Sequence, residues 1–161
     1  MSRLDNFIDR MVSQRACIDD AVRQIAGQPG LVLELGLGNG RTYDHLKQRL
    51  PDREIYVFDR VVVANPASIP PENRIVLGDF IDTLPAFLKQ WGPVAVLIHA
   101  DMGGGDSDEN VAFARRISPL IEPLLAPGGL MISNDRMKFD TLIEQPLPAG
   151  AVAERCFVYR R

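Results

Sequence analysis

The sequence predicts an α/β fold: a doubly wound, mostly parallel sheet in a three-layer αβα arrangement. Three observations carry that prediction. From residue 31 onward, apolar runs of strand length alternate with segments of helical period. The run Val32-Leu33-Glu34-Leu35 empties into alternate glycines, Gly36, Gly38 and Gly40, as a buried strand does when it turns tightly into a helix. Five successive strands also end in a carboxylate or its amide: Glu34, Asp59, Asp79, Asp101, and the pair Asn134-Asp135. In a doubly wound sheet ligands lie beyond the carboxyl ends of the strands, near the switch in strand order, so these polar ends mark a site.

Each element has its own signal. Leu4, Phe7, Ile8, Met11, Ile18, Val22 and Ile25 recur at spacings of three, four or seven, giving an amphipathic helix over residues 3–26, broken at most once. Residues 31–35 form strand one, a helix runs from 41 to about 50, and residues 54–58 form strand two, ending at Asp59. Pro66, Pro70 and Pro71 make residues 61–73 irregular. Strand three spans 74–77 and ends at Gly78-Asp79. The helix after it carries Ile81, Leu84, Phe87, Leu88 and Trp91 on one face. Strand four, 94–98, is apolar throughout, as expected when both sheet faces are covered. Gly103-Gly104-Gly105 reads as a mobile loop, and Ser107 as the cap of a helix bearing Val111, Ala114, Ile117, Leu120, Ile121 and Leu124. Pro127-Gly128-Gly129 turns into strand five, 130–133. Residues 152–159 read as one further strand at an edge.

A chain of 161 residues fits one domain, here divided into an N-terminal helical cap (1–28), a core (30–133) and a short extension (134–161). With 46% hydrophobic and 24% charged residues the composition is that of an ordinary soluble protein. The formal charge of −3 offers no footprint for nucleic acid or an anionic membrane. No apolar run approaches the roughly 18 residues of a membrane span, and the charged N-terminus has no signal-peptide core. Cys17 and Cys156 form no CxxC pair and read as reduced core thiols of a cytoplasmic protein.

The glycine turn suggests a nucleotide-like cofactor, because bare backbone and the N–H groups of the following helix face whatever binds there. A dinucleotide would call for GxGxxG. Here the spacing is one residue tighter, and Glu34 precedes it by two positions. That carboxylate would repel a pyrophosphate and suits a cofactor with positive charge, such as S-adenosyl-L-methionine. Asp59 could accept both hydroxyls of a ribose. Asp79 could accept from an adenine amino group, or cap the helix that follows, while Phe80 offers a backbone N–H and a ring.

In the order Glu34-Leu35-Gly36-Leu37-Gly38-Asn39-Gly40, Tyr56-Val57-Phe58-Asp59, Gly78-Asp79-Phe80 and Leu124-Leu125-Ala126-Pro127-Gly128-Gly129-Leu130, the chain resembles class I, Rossmann-like methyltransferases dependent on S-adenosyl-L-methionine, over about residues 30–133. The resemblance implies that Gly36, Gly38 and Gly40 line the methionine moiety, Asp59 the ribose, and Asp79 with Phe80 the adenine. The expected cofactor site is Glu34, Gly36, Leu37, Gly38, Asn39, Gly40, Thr42, Asp59, Arg60, Gly78, Asp79, Phe80, His99 and Ala100.

Methyl transfer from a sulfonium needs alignment more than a protein nucleophile. A base matters only if the acceptor must lose a proton, and His99 and Asp101, placed after strand four, are the candidates. Cation-dependent O-methyltransferases show Asp-x-Asp after strand four and Asp-Asn after strand five. Here stand His99-Ala100-Asp101 and Asn134-Asp135, so no metal is expected. The N-terminal helix would form a lid, offering Gln14 and Arg15. Tyr43 and Asn134 complete the expected acceptor contacts. The acceptor expected is a small molecule, not nucleic acid. The short tail promises about one strand where relatives place a helix and two antiparallel strands, so the sheet reads as truncated, with an edge that a homodimer would cover. A cofactor-binding sensor without transfer, and a dinucleotide oxidoreductase, are the rival readings.

Overall fold

The structure, a computed structural model, describes residues 1–102 and 107–161. The expected Gly103-Gly104-Gly105 loop lies outside the described residues, as does the side chain of Ser107 with its capping role.

Helix α1 (Arg3–Gln24) is unbroken. Ser2 caps it in a reciprocal box with Asp5, whose backbone N–H donates to Ser2 Oγ at 3.0 Å. Strand β1 (Leu31–Leu35) leads into α2 (Arg41–Arg49), β2 (Ile55–Asp59) and β3 (Ile75–Leu77). Then come α3 (Phe80–Trp91), β4 (Ala95–Ala100), α4 (Ser107–Ile121), β5 (Leu125–Ser133), β6 (Ile143–Gln145) and β7 (Phe157–Arg160).

The sheet order is β3-β2-β1-β4-β5-β7-β6, parallel from β3 to β5, with β7 antiparallel to both neighbours. Strand order reverses between β1 and β4, which opens a crevice at their carboxyl ends. Period-2 alternation sorts the strand residues onto two faces. Leu33, Leu35, Ile98 and Met131 pack with Leu84, Phe87, Ile117 and Ile121 of α3 and α4. Val32, Val96, Ile132 and Val158 pack with Cys17, Ile18 and Ala21 of α1 and Leu46 of α2. Cys17 and Cys156 are both free and buried. Among the described residues no helix is long and apolar enough to cross a membrane.

Two expectations are corrected here. The sheet is not truncated: it has seven strands, and the tail supplies two of them. β6 has only three residues, ahead of Pro146, too few to show alternation. It is anchored instead by pairing with β7 and by Arg136, whose Nη1 lies 2.7 Å from Glu144. β7 is accordingly no edge strand; it lies between β5 and β6 with Phe157, Val158 and Tyr159 buried. The second correction is the end of β4, which runs two residues beyond the expected stop and takes His99 and Ala100 into the sheet.

Candidate active site

The three glycines of the turn after β1 are there for different physical reasons. A Cβ on Gly36 would meet the Asp101 carbonyl oxygen at 2.4 Å, so this glycine lets the ends of β1 and β4 close together. A Cβ on Gly40 would meet Ser68 Cβ at 2.6 Å, so Gly40 seats the single 3₁₀ turn Pro66–Ser68 against the start of α2. Gly38, at φ +49°, has nothing within 4 Å of where its Cβ would stand. Its backbone faces open space.

That space consists of two cavities sharing Gly36, Gly38 and Asp101. The larger, about 470 Å³, is lined by Asp59, Arg60, Asp79, Phe80, Met102 and Phe113, with Glu109 and Asn110 of α4 at its rim. The smaller, about 210 Å³, lies beneath α1, between Arg10, Met11 and Gln14 above and Leu37, Asn39, Arg41 and Thr42 below.

Asp59 braces the turn. One carboxylate oxygen accepts from Leu37 N at 2.8 Å and, at 3.4 Å, from Gly38 N, and the other from Arg60 N at 2.7 Å and, at 3.4 Å, from Val61 N. The two longer bonds are the ones a ligand's hydroxyls would replace. Asp79 caps α3 by accepting from Ile81 N at 2.9 Å while also lining the larger cavity, so capping and lining coexist. The rings of Phe80 and Phe113, both lining that cavity, pair at a tilt with their centroids 6.2 Å apart. Asp101 is held from α1: Gln14 Nε2 donates to its Oδ2 at 2.8 Å, and Arg10 Nη1 approaches Oδ1 at 3.8 Å.

Beneath the turn, wholly buried, Glu34 accepts from Thr42 Oγ1 on one oxygen and lies 2.7 Å from His99 Nδ1 on the other. Burial opposes charging of His99, but the adjacent Glu34 carboxylate, then Asp101, outweigh it and raise the imidazole above its ordinary 6.5. At the end of β5, burial first and the Asp101 charge second raise the carboxyl of Asp135 above its ordinary range.

The family model described as S-adenosyl-L-methionine methyltransferase matches residues 1–161. The chain belongs to this family. It is 61% identical to an S-adenosyl-L-methionine methyl transferase from Silicibacter pomeroyi DSS-3 of known crystal structure, covering 100% of this chain and 99% of that one, with a TM-score of 0.98. The fold also matches MycE methyltransferase from the mycinamycin biosynthetic pathway, crystallised with Mg and SAH, at 18% identity and a TM-score of 0.57. It matches TrmN from Thermus thermophilus at 17% identity and 0.57. Each of these covers 89% of this chain, which spans less than half of either, 44% and 48%. A search of the curated proteins returns no match.

The chain is therefore a methyltransferase whose cofactor is S-adenosyl-L-methionine, and its residues fit that group. Asp59, with only long bonds from Gly38 and Val61 to give up to a ligand, the backbone at Gly38 and Phe80 all line one cavity. Leu37, Asn39 and Thr42 line the smaller cavity, and Arg60 the larger.

Other expected site residues stand elsewhere. Glu34 is fully buried and lines neither cavity; its partner is His99, whose Nδ1 lies 2.7 Å away. His99 and Ala100 lie inside β4, fully buried, so the placement of His99 beside an acceptor is corrected. Gly40 and Gly78 line neither cavity. Gly78 packs instead, with its Cβ position 2.9 Å from Thr83 Cγ2. Tyr43 is buried in the core under α1 and α2, because position 43 falls on the inner face of α2 with Leu46. Arg15 is exposed, since it sits one residue, about 100° of helix, away from Gln14. Asn134 donates its N–H to Ala100 O at 3.3 Å and lines neither cavity.

Arg10, Met11, Arg41, Met102 and Phe113 went unread in the sequence. Arg10 was within reach, because it stands four residues before Gln14 on the same helix face. Arg41 and Phe113 have no such signal; only the assembled crevice brings them to the site.

Proposed function

We propose that the enzyme methylates a small molecule that enters beneath α1 and meets the donor at Asp101. The observation that carries this reading is that Asp101, with Gly36 and Gly38, lines both cavities. In this reading Asp59 holds the ribose hydroxyls, Asp79 and Phe80 the adenine, and the backbone at Gly36 and Gly38 the methionine end. When bound, the donor supplies a methyl group on a positively charged sulfur. What remains for the chain is to exclude water, align the acceptor and, for a hydroxyl or amine acceptor, receive a proton.

Asp101 suits the last two tasks. Its Oδ2 is fixed by Gln14, while Oδ1, 3.8 Å from Arg10, lies beyond hydrogen-bonding distance of that guanidinium. His99 does not suit them, because it is fully buried and reaches neither cavity. The small volume beneath α1 and the net charge of −3 favour a small acceptor over a nucleic acid.

The test incubates the enzyme and donor with sets of phenols, carboxylic acids and amines, and separately with bulk RNA and protein, reading S-adenosylhomocysteine. Formation with a small molecule, slowed roughly 100-fold in Asp101→Asn with product affinity preserved, supports the reading. Turnover with RNA or protein alone overturns it.

A further inference from the structure

The two cavities that meet at Asp101 carry opposite charge. Among the described residues, the larger is lined by the acids Asp59, Asp79, Asp101 and Glu109 against one cation, Arg60. That wall suits the donor, which is a net cation, because its sulfonium and ammonium outweigh its one carboxylate. The smaller is lined by two cations, Arg10 and Arg41, against one acid, Asp101. A cationic donor next door leaves that positive excess uncompensated.

The fold does not neutralise these two guanidiniums. Arg10, from α1, meets Asp101 Oδ1 only at 3.8 Å, beyond hydrogen-bonding distance, while the other oxygen of Asp101 is engaged by Gln14. Arg41 takes part in none of the ion pairs among the described residues. It is the first residue of α2, whose N-cap Gly40 provides no side-chain acceptor. A cation there opposes the helix dipole, and a bound anion removes that cost. Asp44, the acid of the same turn, lines neither cavity. Both guanidiniums gather about one ring, each with its Cζ 6.0 Å from the Phe7 centroid. Both are also within reach of a ligand, since the Arg10 side chain is 38% exposed and Arg41 is exposed.

We propose that the methyl acceptor is an acid, and that Arg10 and Arg41 hold its carboxylate or phosphate between α1 and the start of α2. This names the class of small molecule for the function proposed above, and it rests on that reading. A guanidinium fork matches the paired oxygens of either anion. The charges also orient the acceptor. Asp101 repels the anionic group from its own end of the cavity, which leaves the hydroxyl or amine of the acceptor turned toward Asp101 and the donor. A neutral analogue leaves two guanidiniums without a partner and binds more weakly for that reason.

Two measurements on the full-length protein saturated with S-adenosylhomocysteine, or turning over with the donor, test this. Benzoate and inorganic phosphate serve as bare anions. At millimolar concentration each is expected to shift the arginine Nε–Hε resonances that Arg10→Gln and Arg41→Gln remove, whatever scaffold the natural acceptor has. Matched acceptors then differ in one charge: hydroxybenzoates against hydroxybenzamides, amino acids against their amides, glycerol phosphate against glycerol. The acidic member is expected to show a KM at least about tenfold below its neutral partner, the worth of one charge-assisted hydrogen bond. The carboxylate and phosphate pairs show which anion the site takes. Arg10→Gln and Arg41→Gln each raise the KM for the acid about tenfold and leave affinity for S-adenosylhomocysteine at its wild-type value.

Bare anions that leave both arginine signals unmoved overturn the proposal. So does a KM for acids that neither variant changes. If the variants weaken S-adenosylhomocysteine instead, the anion they hold is the donor's own carboxylate, and the proposal falls. Should either variant fail to fold, the acid-against-neutral comparison on the wild type still decides. Methylation of neutral small molecules alone overturns this inference and spares the proposed function, whereas turnover with RNA or protein alone overturns that function itself.

Discussion

Replacing Gly36 and Gly38 in turn by alanine separates folding from cofactor binding, although the two glycines are only two residues apart. At Gly38 a Cβ meets nothing within 4 Å, so the folded chain bears only the left-handed backbone at φ +49°. For a residue with a Cβ that costs about 1–2 kcal/mol. At Gly36 the same atom would stand 2.4 Å from the backbone carbonyl oxygen of Asp101, the residue after β4, with φ at +90°. Neither partner is a flexible side chain, so β1 and β4 must part at their ends, where Asp101 N donates to Leu35 O at 3.1 Å. The penalty is that of overpacking, about 1–3 kcal/mol, added to the backbone term.

For a chain of this length each kcal/mol lowers the melting temperature by roughly 2–4 °C. Gly38→Ala should therefore melt only a few degrees below wild type in ligand-free calorimetry, and Gly36→Ala clearly lower still. Affinity for S-adenosylhomocysteine, measured by titration calorimetry below both transitions, should fall at least about tenfold for Gly38→Ala, because its new methyl occupies the space shared by the two cavities. Unchanged affinity in Gly38→Ala would refute the reasoning. So would equal melting temperatures for the two variants, since the argument rests on one Cβ meeting backbone and the other meeting open space.

Glu34→Gln removes one partner of a fully buried pair and should destabilise the fold by about 3–5 kcal/mol, read as the shift of the urea midpoint. Because the folded state raises His99 above its ordinary 6.5, its contribution is complete below about that pH and is lost as pH rises through the higher folded value. Wild-type stability should fall as pH rises through that window. The Glu34→Gln profile should be flatter there, and parallel profiles would contradict the assignment. Arg10→Ala, which strips a wall residue from the smaller cavity, should weaken methyl transfer, whereas exposed Arg15→Ala should leave it unchanged; turnover of both variants decides. Leu4, Phe7 and Ile8 leave an exposed apolar stripe on α1, so light scattering at micromolar concentration should report a species of twice 17.9 kDa, and a monomer alone would refute a dimer.

What the sequence made legible was set by patterns that are local. Alternating runs marked β1 to β5, and three of the strand-end carboxylates, Asp59, Asp79 and Asp101, marked the crevice, because period and turn chemistry are written within a few neighbouring residues. The tail was misread for the opposite reason. β6 is three residues long and exists only because β7 and the Arg136–Glu144 pair hold it. Tyr43 and Arg15 were assigned to the acceptor by their nearness in sequence to the turn and the lid. The helical period of 3.6 sends the first into the core and the second to solvent.

The same logic explains His99. A strand boundary drawn after Ile98 leaves an imidazole at the mouth of a crevice, where it reads as a base. With β4 continuing to Ala100, pairing in register with β1 sets His99 opposite Glu34 and forces both beneath α1. Glu34 seemed to await a positive group on a ligand, yet its partner, the His99 imidazole, is supplied from within the fold. The carboxylate left facing the cavities is Asp101, two residues further on, where β4 has ended and its side chain is free of the ladder. A shift of two residues in one boundary thus exchanges the parts of base and brace, and it makes His99 part of the scaffold instead of the reaction.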